Sequence, residues 1–181
     1  KREHVRVQKE EERLAMANYP LGKIALQGEK EDLLKVFGTF IRTLECGVDE
    51  LTDVYTFNET ENEVEIHVPK NAILLIDDNH GGISVTDPIL KKVEGIWALT
   101  GCIIGQYCID LQYFADMAYK FNLKGAAYSG NLEGDWKTVI EVENKKVKKF
   151  GQYTLSTGEY RNYLSGKIES DSLILQGTEQ Q

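Results

Sequence analysis

At 181 residues, with 41% hydrophobic residues and a formal net charge of -8, the chain has the length of one domain, or one domain with a small appendage, and the apolar content for a packed core. The acidic balance argues against a protein that grips phosphate backbones over a large surface, though it leaves room for a local basic patch. No apolar run approaches the roughly 18 residues that span a bilayer, and no leader with a basic end and apolar middle opens the chain, so a cytoplasmic protein without a membrane segment is expected.

Residues 1–20 are mostly charged, with both signs mixed and Glu10, Glu11 and Glu12 ahead of Leu14, Ala15 and Met16, which reads as a solvated helix or tail. Pro20 and Gly22 break the chain, and a short strand over 23–26 ends at Gly28. The next segment predicts a helix: Glu29, Glu31 and Asp32 favour the positive end of its dipole, Leu33, Leu34, Phe37, Phe40, Ile41 and Leu44 form an apolar stripe, and Gly47 stops it. Strands are expected over 54–57 and 63–68, the second alternating Val64, Ile66 and Val68 against Glu63, Glu65 and His67, the pattern of a sheet with one wet face. The apolar run 72–76 predicts a central strand, and 77–82 a loop. Asp87 as cap with Pro88 at the first position predicts a helix towards Trp97, while 100–106 reads as a buried turn or short strand.

The stretch 108–149 is the most explicit. Ile109, Tyr113, Met117 and Phe121 recur at steps of four, so a helix ends near Asn122. A strand follows over 123–128, and 136–142 alternates Trp136, Thr138, Ile140 and Val142 against Lys137, Val139 and Glu141. Glu143-Asn144-Lys145 turns the chain into a strand through Phe150. Residues 151–181 read as a small β-meander extending the domain of 21–150.

Four pieces carry a family resemblance: Leu26-Gln27-Gly28-Glu29-Lys30-Glu31-Asp32-Leu33, Ala118-Tyr119-Lys120-Phe121, Tyr128-Ser129-Gly130 and Glu143-Asn144-Lys145. In that order, across 21–147, the chain resembles the YubB-like ferredoxin-like domain of plasmid and phage proteins. The resemblance implies a mobile-element origin and an α+β ferredoxin-like sandwich, an antiparallel sheet with two main helices on one face, here with a C-terminal β-hairpin extension. It implies no activity.

Candidate chemistry is sparse. Asp77, Asp78 and His80, beside Gly81 and Gly82, offer carboxylates and an imidazole to a divalent ion, but the same residue types are what a turn requires. His67 joins His80 only if the strands pair suitably. The three cysteines, Cys46, Cys102 and Cys108, are an odd number without metal or redox spacing, and read as reduced, packed thiols. Glu133, Asp135 and Glu141 are carboxylates whose separation nothing fixes. Lys145, Lys146, Lys148 and Lys149 form the one basic cluster, followed by Phe150, Tyr153, Tyr160 and Tyr163. Lysines and aromatics on a sheet can hold single-stranded nucleic acid, with Lys145, Lys146, Lys148 and Tyr153 as the binding candidates, but alternation splits the charge across two faces, and lysines also guard sheet edges.

The favoured expectation is a non-catalytic binding or accessory protein that meets a protein partner through an acidic surface. The alternatives are a small metal-dependent hydrolase using Asp77, Asp78 and His80, and a single-stranded nucleic-acid binder. Net charge disfavours nucleic acid, no cofactor is predicted beyond the divalent ion such a loop would take, and homodimerisation through a sheet edge is a further option.

Overall fold

Alternating apolar and polar residues govern most of the chain, and strands dominate what they build. The computed structural model describes residues 20–76, 82–105, 111–131 and 134–163. In chain order the elements are β1 (Pro20–Gly28), α1 (Lys30–Val36), β2 (Ile41–Glu45), β3 (Leu51–Thr52), β4 (Thr56–Glu59), β5 (Glu63–His67), β6 (Ala72–Ile76), β7 (Ile83–Val93), β8 (Ile96–Ile104), α2 (Gln112–Lys120), β9 (Lys124–Asn131), β10 (Trp136–Glu143), β11 (Lys146–Thr154) and β12 (Tyr160–Asn162).

The described strands form one sheet, paired antiparallel throughout, in the order β12-β11-β10-β9-β1-β8-β7-β6-β2-β3, with the β4–β5 hairpin attached to β7. A ferredoxin-like sandwich is therefore overturned: this is a mostly-β protein with a twelve-stranded sheet and two short helices among the described residues. Two local patterns account for the difference. The stripe Leu33 to Leu44 fits helical spacing, yet the helix stops at Val36, Gly38 turns at φ 79°, and Ile41 and Thr43 point inward from a strand whose β-branched residues suit the pleat. Asp87-Pro88 starts no helix; it is a bulge within β7, where Thr86 pairs with Cys102 and Ile89 with Thr100. Pro88 has no N–H to give the ladder, and a bulge is where a strand tolerates it. The bulge also divides β7, which pairs with β6 through residues 83–85 and with β5 at Leu90 and Lys91. Residues 96–104 complete the hairpin as β8, a nine-residue strand that takes in most of the segment which reads from sequence as a buried turn or short strand.

Both helices lie on the face that carries Ile24 and Leu26. Leu33 and Val36 of α1 and Phe114, Ala115, Met117 and Ala118 of α2 join these strand residues in one buried cluster. Gly125 allows the close approach of α2, because a Cβ there would stand 2.7 Å from Phe114 Cζ and 2.8 Å from Leu26 Cδ2. Phe40, in the turn after α1, and Phe121, at the end of α2, cross edge to face at 6.1 Å. Beyond α1, Phe37, Tyr55 and Phe57 pack with centroids 5.3–5.5 Å apart, and Lys30 reaches Glu59 at 2.6 Å, which holds the β4–β5 hairpin against the helix. Thr43, fully buried, donates its hydroxyl to the Thr52 carbonyl at 2.7 Å and accepts the Val54 N–H at 3.0 Å. Among the described residues no helix is long and apolar enough to cross a membrane.

Candidate functional site

The opposite face of the sheet is open, and strand register decides which side chains it shows. One row of neighbours reads Thr86, Cys102, Lys23, Tyr128, Val139 and Gly151 across β7, β8, β1, β9, β10 and β11. The next reads Ile89, Thr100, Ala25, Ala126, Glu141 and Lys149. The second row has small residues at its centre, so the sheet carries a trough running across the strands. Thr100, Ala25 and Ala126 make the floor, Lys23 and Tyr128 a wall, Asp87 and Ile89 one end and Glu141 the other, enclosing about 620 Å³. A smaller compartment of about 340 Å³ shares Ala25, Ala126 and Glu141 and extends to Lys124, Glu143 and Lys148. The bulge places Asp87, with φ 50°, at the trough end.

Beside the trough, lysines and tyrosines interleave. Lys137 Nζ lies 5.3 Å from the centre of the Tyr128 ring and 5.7 Å from that of Tyr153. Lys149 lies 5.9 Å from Tyr153 and 4.7 Å from Tyr160, and the Tyr153 and Tyr160 rings are 6.0 Å apart. Lys149 also approaches Glu141 at 3.9 Å, and Lys124 approaches Glu143 at 3.3 Å. Burial pushes the Tyr160 hydroxyl above its ordinary pKa, with the Glu141 charge adding to the effect, and that hydroxyl has no hydrogen-bond partner.

Of the residues singled out from sequence, Tyr153 stands in this ladder and Lys148 lines the smaller compartment. Lys146 is exposed opposite Glu143, and Lys145 sits in the turn, over the Tyr119 ring of α2 at 5.5 Å, so the lysine cluster is not one surface. Asp77, Asp78 and His80 lie outside the described residues, as do His4, Cys108 and Glu133. His67 is exposed on β5, 3.4 Å from Glu65, and β5 and β6 each pair with β7 rather than with one another. Asp135 has a structural task, accepting the Ser156 N–H at 2.8 Å and bonding its hydroxyl. Among the described residues no group of three or more His, Cys, Asp or Glu is gathered where a metal ion could sit. Cys46 is exposed and Cys102 half-buried on the open face.

Sequence reasoning missed Lys23 and Tyr128 as members of this face and Lys137 as the lysine between Tyr128 and Tyr153. The two-residue turn at Asn144-Lys145 pairs Glu143 with Lys146, which by itself would put Phe150 and Gln152 on the open face. A bulge at Lys148 moves the register by one residue, so Lys149, Gly151 and Tyr153 face outward and Phe150 packs inward. Comparison with protein-family models, with curated proteins and with solved structures gives no match.

Proposed function

We propose that this protein is a non-catalytic binding module whose recognition surface is the open face of the sheet. The observation that carries the reading is the trough: a mostly apolar concavity on a rigid sheet, floored by Thr100, Ala25 and Ala126, with a few polar groups converging on it from Lys23, Asp87 and Glu141. Small-molecule and peptide sites have that character, a largely preformed hollow with sparse, placed polar groups.

An apolar aromatic anion, 8-anilinonaphthalene-1-sulfonate, is a suitable probe, since its ring system suits the floor and its sulfonate suits Lys23. Saturable fluorescence enhancement is expected with the native chain. Ala126→Trp, which fills the floor from an exposed position, should abolish it while leaving the melting temperature within a few degrees. Equal enhancement in both proteins would sink the trough as a site.

A second reading is a basic protein partner. Glu59, Glu61, Glu63 and Glu65 lie on the exposed β4–β5 hairpin, next to Glu29, Glu31 and Asp32 around α1, and this acidic corner suits a basic protein. Loss of binding to a basic peptide on Glu61→Lys with Glu63→Lys, and steep weakening with salt, would be its signature; salt-insensitive binding would speak against it.

A further inference from the structure

We infer that the open face takes single-stranded nucleic acid, with a base held in the trough and its neighbours stacked along the tyrosine ladder. The inference rests on the reading of this face as the recognition surface. Three observations carry it. First, charge is unevenly spread among the described residues: acidic residues gather at α1 and the strands up to β5, whereas the open face sets Lys23, Lys124, Lys137, Lys148 and Lys149 against Asp87, Glu141 and Glu143. A net charge of -8 therefore does not describe the surface a polyanion would meet. Second, Tyr128 on β9, Tyr153 on β11 and Tyr160 on β12 lie along one face with the ammoniums of Lys137, from the intervening β10, and Lys149 between them, the combination of stacking platforms and backbone charge that sequence-tolerant single-strand binding uses. Third, Tyr128 belongs to both the trough and the ladder, so one strand of nucleic acid can follow a continuous path from Ala126 to Tyr160. Exposed cation–π contacts are weak enough for Lys137 and Lys149 to leave the rings for phosphates as bases take their place.

The test uses the full chain and a fluorescein-labelled twenty-nucleotide oligothymidylate, read by anisotropy over a range of salt. Saturable binding is expected, about tenfold or more weaker in Tyr153→Leu and within about twofold of native in Tyr153→Phe, which keeps the stacking face. Lys137→Ala should lower the steepness of the salt dependence by about 0.7 for each phosphate that it no longer neutralises, whereas Lys35→Ala on α1 should change nothing. The inference is overturned if the oligonucleotide does not bind, if Tyr153→Leu binds as well as native, or if inorganic polyphosphate competes as well as unlabelled oligonucleotide, which would leave charge alone. Oligonucleotide failure with retained, Ala126-dependent binding of the naphthalene sulfonate overturns the nucleic-acid assignment only; failure of both overturns the recognition face itself.

Discussion

The Tyr160 ring lies against the backbone of Gly151, its hydroxyl 2.6 Å from where a side chain on that glycine would begin, and the buried hydroxyl finds no hydrogen-bond partner. Gly151→Ala would also meet the Arg161 carbonyl, backbone that cannot swing aside, so the β11–β12 pairing should be lost or displaced, at a cost of about 2–4 kcal/mol. Tyr160→Phe removes an unsatisfied buried group and should stabilise by about 1 kcal/mol. Urea unfolding of both variants measures these; a destabilised Tyr160→Phe would show that the hydroxyl has a partner after all.

Alkali should weaken the fold through two tyrosines. Burial raises Tyr55, with the Asp53 charge adding to it, and burial with Glu141 raises Tyr160, both above the ordinary 10.0. A native pKa above the unfolded one means that their contribution is complete below pH 10 and is lost as pH rises through the native values. Chemical stability followed against pH, alongside tyrosinate absorbance, should fall above pH 10, and less steeply in Tyr160→Phe. A flat profile would contradict the burial.

The β7–β8 hairpin turns on Glu94 and Gly95, at φ 51° and 85° between the paired Val93 and Ile96. Positive φ at both central residues is the type I′ requirement, which Asn-Gly meets best. Glu94→Asn should therefore raise stability by about 0.5–1 kcal/mol and the melting temperature by a few degrees. An unchanged or lower melting point would count against the turn type.

Thr43 gives the opposite expectation. Thr43→Val keeps the shape but leaves the part-buried Thr52 carbonyl and Val54 N–H without this partner, at a cost of about 1–3 kcal/mol, whereas Thr43→Ser should retain both bonds and lose less. Equal losses in calorimetry would assign the effect to packing instead.

Local signals were readable where one rule acted alone. Met117 and Phe121 at helical steps, the alternation from Trp136 to Val142 and the Asn144-Lys145 turn each correspond to what the chain builds. Where two rules competed, sequence pattern misled: Phe37, Phe40, Ile41 and Leu44 fit a helical stripe as well as a turn and a strand, and Asp87-Pro88 suits a helix start as well as a bulge. The candidate site was largely hidden. Ala25 and Ala126 become one floor only through pairing between segments distant in sequence, and Tyr153 joins Lys137 only because a single extra residue at Lys148 reverses the facing of the strand. Neither pairing nor bulge leaves a mark in composition or spacing.

The central position of β1 has a consequence for how the protein is made. Its two neighbours are β8, through Leu21↔Ile104, and β9, through Leu21↔Gly130, so the strand that carries Ile24 and Leu26 waits for most of the domain to be synthesised before either side is covered. Closing such long loops is slow, and an apolar strand with both edges unpaired is a template for other chains. On the ribosome, this sheet can close around its own middle only late, which makes a nascent chain stalled before β9 the form most in need of a chaperone.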